Sequence, residues 1–144
     1  MTTGQGKPTA VGYSGTPLHR KLGVAPRSRV LLDAVPEGFD PDLVDPEGTA
    51  TVHHRAAREA YDVVLTFCPD VAALHRRLPA AMDRTATAGR CWVAWPKRAS
   101  GVCTDLTENE VREAALAVGW VDVKVCAVDT TWSGLCLVRR LVNR

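Results

Sequence analysis

The sequence predicts an α/β fold: a mostly parallel sheet covered by helices and closed by a C-terminal antiparallel hairpin. Three observations carry this. Short apolar runs alternate along the chain with stretches of helical periodicity, the pattern of a parallel sheet with helical crossovers. The run Tyr61-Asp62-Val63-Val64-Leu65-Thr66-Phe67-Cys68 is apolar almost throughout, as a strand buried on both faces must be. The last two strand-like runs, Val121 to Val128 and Leu135 to Val142, are separated only by Asp129 to Gly134. So short a link suits a hairpin and not a parallel crossover.

Taken in order, Thr16-Pro17-Leu18-His19-Arg20-Lys21-Leu22-Gly23 reads as a short helix, with Thr16 as N-cap, Pro17 at the first helical position and Gly23 as terminator. Val30 to Ala34 reads as a buried strand. Pro36, Pro41 and Pro46 then forbid a long regular element, and Asp40 is placed to cap one helical turn starting at Pro41. Thr49 to His53 is a weak strand, and Ala56 to Ala60 reads as a helical turn or two. Pro69-Asp70 opens a helix with Val71, Leu74, Leu78 and Met82 on one face; Pro79 inside it should kink or shorten it. Gly89 ends a linker before the strand Arg90 to Trp95. Thr107-Glu108-Asn109-Glu110 forms a capping box, followed by Val111, Ala114, Ala115 and Val118 at helical spacing and by the terminator Gly119. The joint hardest to build is the crossover Arg55 to Ala60, shorter than the dozen residues a parallel connection generally takes.

A chain of 144 residues with 46% apolar and 24% charged residues suits one globular domain, expected over 13–144 after a flexible arm over 1–12. A net charge of +2 gives no ground for expecting nucleic acid as a partner. The charge is uneven: six acids and no base lie between Asp33 and Glu47, most simply a solvated loop. Cys68, Cys91, Cys103, Cys126 and Cys136 form no C-x-x-C pair, which argues against both a disulfide framework and a zinc site. No apolar run reaches the roughly 18 to 20 residues of a membrane span. A cytoplasmic protein is expected, with neither membrane nor metal.

Lys21-Leu22-Gly23 through Pro26 to Arg29-Val30-Leu31-Leu32-Asp33 resembles the entry to the first strand of class I methyltransferases. Tyr61 to Cys68 resembles their fourth strand and Gly89 to Trp95 their fifth, and a last helix followed by a hairpin is also their ending. The resemblance implies a Rossmann-like, methyltransferase-like sheet. Four longer runs resemble an uncharacterised bacterial family, domain of unknown function 3052: Gly12 to Leu18, Trp95 to Val102, Val121 to Asp129, and Thr131 to Leu135. That resemblance implies no activity. The chain departs from the family pattern at Thr130 and Cys136, where an acidic residue and a lysine are usual.

A dinucleotide or S-adenosylmethionine site needs glycines after the first strand, so that backbone N–H groups can approach the ligand. Ala34-Val35-Pro36-Glu37-Gly38 stands there instead. Pro36 removes a donor and Glu37 repels a carboxylate or phosphate. The second strand, where an acid normally holds the ribose, ends in His53-His54-Arg55. Adjacent histidines on a strand face opposite sides and do not share an ion. Cys68 ends a central strand, where an α/β nucleophile can sit, but no histidine stands at a fixed spacing to activate it.

Ligands of open α/β sheets bind beyond the carboxyl ends of the strands. The loops expected there gather Glu37, Asp70, Trp95, Lys97, Arg98, Ser100, Asp129, Trp132 and Ser133. Lys97, Arg98 and Ser100 suit an anionic group, and Trp95 and Trp132 suit apolar walls. The plainer alternative makes both tryptophans core, the cations solvated and Asp129 a turn-former.

The function expected is therefore a binding or accessory protein on a degenerate methyltransferase-like scaffold, taking a small anionic ligand, a protein partner or a second copy of itself, and no cofactor. Two alternatives stand beside it: a small enzyme acting on an anionic metabolite through Lys97, Asp129 or Cys68, and an S-adenosylmethionine-dependent methyltransferase.

Overall fold

The computed structural model describes residues 15–144. The expected arm over 1–12, and the start of order at Tyr13, lie outside the described residues. Six strands form one sheet: β1 (Arg29–Asp33), β2 (Thr51–His53), β3 (Tyr61–Phe67), β4 (Thr85–Pro96), β5 (Trp120–Ala127) and β6 (Trp132–Arg139), in the order β2-β1-β3-β4-β6-β5. The pairs β1–β2, β1–β3 and β3–β4 are parallel, and β6 runs antiparallel to both of its neighbours. Only β6 is therefore reversed. The carboxyl ends of the other five strands share one edge, and the β5–β6 turn lies on it.

The helices are α1 (Leu18–Leu22), α2 (Val71–Arg84) and α3 (Glu108–Leu116). Asp70 caps α2 by accepting the Ala73 N–H at 2.8 Å, and Thr107 caps α3 by accepting that of Glu110 at 3.3 Å. Each oxygen satisfies a donor that a helix start leaves open. On one face of the sheet α2 and α3 bury Leu74, Leu78, Met82, Val111 and Ala115 against Val64, Cys91, Val93 and Leu135. On the other face Leu18 and Leu22 of α1 pack with Val30, Leu32, Phe39, Val63, Trp92 and Cys136. The Trp92 indole N–H donates to the Leu22 carbonyl at 3.0 Å and so fixes α1 over β4. Among the described residues no helix is long and apolar enough to cross a membrane.

Several sequence expectations are corrected. Pro17, and not Thr16, occupies the N-cap of α1, while Gly23 takes the left-handed backbone expected of it, with φ at 87°. The turn at Pro41–Leu43 is a 3-10 turn, with Asp40 accepting from Asp42 as foreseen. Helix α2 is not shortened by Pro79 but continues to Arg84. Its lost hydrogen bond is a local cost, outweighed by the buried face on either side of the proline. Strand β4 begins at Thr85 and not Arg90, and its register with β3 shifts between Tyr61 and Val63. Gly89 sits inside β4, where a Cβ would stand 2.9 Å from the Asp62 carbonyl and 3.0 Å from that of Tyr61. Only glycine allows this approach. Helix α3 ends at Leu116, leaving Val118 beyond it and exposed. Trp132 and Ser133 belong to β6, so the hairpin link is tighter than Asp129 to Gly134; at the other end β6 stops at Arg139, before a 3-10 turn over Leu141–Asn143.

Ala56 to Ala60 is not helical. The seven residues between β2 and β3 run open across the end of β1. An extended stretch of that length reaches about 23 Å, against the roughly 10 Å that separates strands two apart. The helix is unnecessary because β2 has only three residues, so little height separates its end from the start of β3. Polar contacts hold the link in place. The Tyr61 hydroxyl accepts the Ala57 N–H at 2.8 Å and lies 2.6 Å from the His53 imidazole Nδ1. Arg29 donates to the Ala60 and Glu59 carbonyls, and Arg84 to that of Ala57.

Candidate functional site

The carboxyl edge gathers the loops after β1, β3, β4 and β5, as the sequence led us to expect. The Lys97 N–H donates to the Thr131 carbonyl at 2.8 Å, and Pro96 pairs with Trp132. The exit of β4 and the β5–β6 turn are thus joined through backbone, with Lys97 and Asp129 at the same end of the sheet.

Most polar groups of that edge are engaged in building it. One Asp129 carboxylate oxygen accepts from the backbone of both Thr131 and Trp132 at 2.8 Å, which fixes the turn. The Ser100 hydroxyl donates to the Lys97 carbonyl at 2.7 Å and accepts from the Val102 N–H at 3.1 Å. Asp70 is held in the cap of α2. Asp105, which the sequence reading did not single out, accepts the Val71 N–H at 2.9 Å, so two carboxylates already occupy the positive end of that helix. Glu37 is exposed in the turn from Pro36 to Phe39.

The sheet divides the two tryptophans. Trp95 pairs with Ser133 and is buried on the α2–α3 face, whereas Trp132 lies one residue on and packs on the α1 face. They do not wall one site. On the α2–α3 side, the loop from Lys97 to Thr107 and the start of α3 enclose a cleft of about 440 Å³. Trp95, Pro96 and Leu106 form its apolar floor, with Arg98, Thr104 and Glu108 around it. Thr104 ties its outer wall to the start of α2 by donating to the Pro69 carbonyl at 2.6 Å.

On the α1 side the edge is closed by rings. Phe39 lies 5.0 Å from Phe67, and Phe67 lies 5.2 Å from Trp132, edge to face. Both phenylalanines of the chain meet here. Sequence reasoning missed this stack because its members come from three loops and strands. The one available signal was Phe39, the lone aromatic side chain inside an acidic segment. Below the rings, Thr66 donates to the Asp33 carboxylate at 2.7 Å, and Ala34 leaves β1 in left-handed backbone with φ at 59°.

Cys68 is fully buried at the end of β3, beside Arg77, whose guanidinium donates to the Phe67 carbonyl. Burial pushes the Cys68 thiol up to about 11, against the smaller opposing pulls of Arg77 and a hydrogen bond with Thr66. At neutral pH it is a protonated core thiol and a poor nucleophile. His53 is engaged with Tyr61, and among the described residues no cluster of three His, Cys, Asp or Glu side chains could hold a metal ion.

No protein-family model matches the chain, and no curated protein matches it in sequence. Solved structures do resemble it. An rRNA methylase from Streptococcus thermophilus superimposes with a TM-score of 0.55 at 10% identity, over 85% of this chain and 94% of that one. TrmN from Thermus thermophilus gives 0.51 at 14% identity over 85% of this chain, which spans 47% of that protein. A methyltransferase candidate from Thermoplasma acidophilum gives 0.50 at 9% identity, over 81% and 70% of the two chains. At such identities the likeness establishes the scaffold, and the scaffold is Rossmann-like, of the class I methyltransferase kind.

Proposed function

We propose that the protein is a binding or accessory protein on a methyltransferase-like scaffold whose S-adenosylmethionine loop has been lost. One observation carries this reading: the exit of β1. Where that scaffold would present glycine backbone to a cofactor, the chain runs Ala34-Val35-Pro36-Glu37-Gly38-Phe39, and Phe39 turns into the core against Phe67. A donor is missing at Pro36, a negative charge stands at Glu37, and an aromatic side chain fills space at the strand end. The state of Cys68 and the engagement of Asp70, Ser100 and Asp129 in caps and turns favour binding over catalysis. The cleft beside Trp95 is the binding face of this reading. Its apolar floor and the exposed Arg98 suit a small ligand carrying one anionic group.

Calorimetric titration with S-adenosylmethionine tests the proposal. No saturable heat is expected up to about 100 μM; a dissociation constant below that, worth about −5.5 kcal/mol, would show a working cofactor site and overturn it.

A further inference from the structure

Seven large hydrophobic side chains are prominently exposed among the described residues, and six of them belong to three adjoining parts of the fold: the end of α3, the strand β5 packed against it, and the turn after β6 that bonds to Gly119. Leu116 and Val118 stand at the end of α3, Val123 and Val125 on β5, and Leu141 and Val142 in the C-terminal 3-10 turn. Only Val102 is elsewhere. Scattered exposed apolar residues need no explanation, but a concentration of them marks an interaction surface. This one has relief. Between α2 and α3 lies a groove of about 530 Å³ whose walls include Leu78, Met82, Ala114, Val118 and Trp120. Beside it Leu141 and Val142 project, 78% and 86% exposed. Their turn is anchored to the neck of the groove, because Gly119, between Val118 and Trp120, accepts from both the Arg140 N–H and the Asn143 side chain.

We propose that this side is the contact between two copies of the chain, with Leu141 and Val142 of each copy seated in the α2–α3 groove of the other. A two-fold interface requires one patch to carry both halves of every complementary pair. Here the recess and the projection are neighbours on a single surface. The charges divide in the same way: Asp83 stands on the rim of the groove, and the exposed Arg140 and Arg144 flank the projecting pair. A different protein would need only one member of each pair. β5 is also the last strand of the sheet, and its outer backbone edge pairs with no other strand among the described residues. Val123 sits at the register shift between Asp122 and Lys124. That irregularity disfavours an endless ladder of strands and leaves side-chain packing to define a closed pair.

Sedimentation velocity of the full chain from about 1 to 100 μM tests this. The expected species is twice the 15.6 kDa chain. Val118→Glu and Val142→Glu change exposed side chains, so neither disturbs the core, and each is expected to weaken association at least tenfold. Ala56→Glu, an exposed position on the β2–β3 link, serves as the control and is expected to leave the dimer intact. A wild-type chain that stays monomeric throughout would assign the patch to a different partner and overturn the proposal. A dimer indifferent to both valine variants would overturn it too, as would one weakened equally by Ala56→Glu.

Discussion

Replacing Phe39 is the most direct probe of how the β1 exit is closed. The ring is buried and lies tilted 58° against Phe67, in one cluster with Val44, Leu32 and Trp92. Truncating a buried phenylalanine to alanine costs about 3–5 kcal/mol, through lost transfer energy and the cavity left behind. Here the lower end applies, roughly 3 kcal/mol, because the loop carrying Phe39 can settle partly into the space. Phe39→Leu keeps an apolar filling and loses mainly the ring–ring term, so about 1 kcal/mol is expected. Urea unfolding followed by tryptophan fluorescence reads both. With a slope near 2 kcal/mol/M, the alanine variant should lower the midpoint by about 1.5 M and the leucine variant by about 0.5 M. Since a domain of this size has a total stability of about 5–15 kcal/mol, the larger loss remains measurable. An alanine variant whose midpoint coincides with the parent's would mean that the ring packs on nothing, and the account of a closed β1 exit would fall with it.

Two further outcomes follow from the caps and the thiols. Thr107→Ala removes the acceptor for the Glu110 N–H and should cost roughly 1 kcal/mol without altering the fold; coincident denaturant midpoints would refute the cap. Burial holds the Cys68 thiol up to about 11 and those of Cys91 and Cys136 up to about 12, against an ordinary 9.0. The folded protein therefore binds these protons more tightly than the unfolded chain does. Their contribution is complete below pH 9 and is lost as the pH rises from there through 11 and 12, so the urea midpoint should fall steadily over that window. A midpoint that stays level from pH 9 to 11 would contradict the burial of these groups.

The sequence by itself determined the order of elements, the single reversed strand and the edge on which the loops gather. These are local or nearly local matters: period, proline and glycine placement, caps, and the length of a link. Asp70 and Thr107 cap their helices because the oxygen and the orphan donor are three residues apart, a relation any chain segment carries with it. The tertiary structure decided what depends on two distant segments meeting. Ala56 to Ala60 is made of helix-forming residue types but is held open by Tyr61, Arg29 and Arg84, residues from β3, β1 and α2. Trp95 and Trp132 look alike along the chain, yet the pleat and the β4–β6 register send them to opposite faces. The ring stack of Phe39, Phe67 and Trp132 and the apolar side made by α3, β5 and the last turn were invisible for the same reason. A pattern read along one segment records which of its faces is apolar, and only packing decides which apolar face is covered and by what.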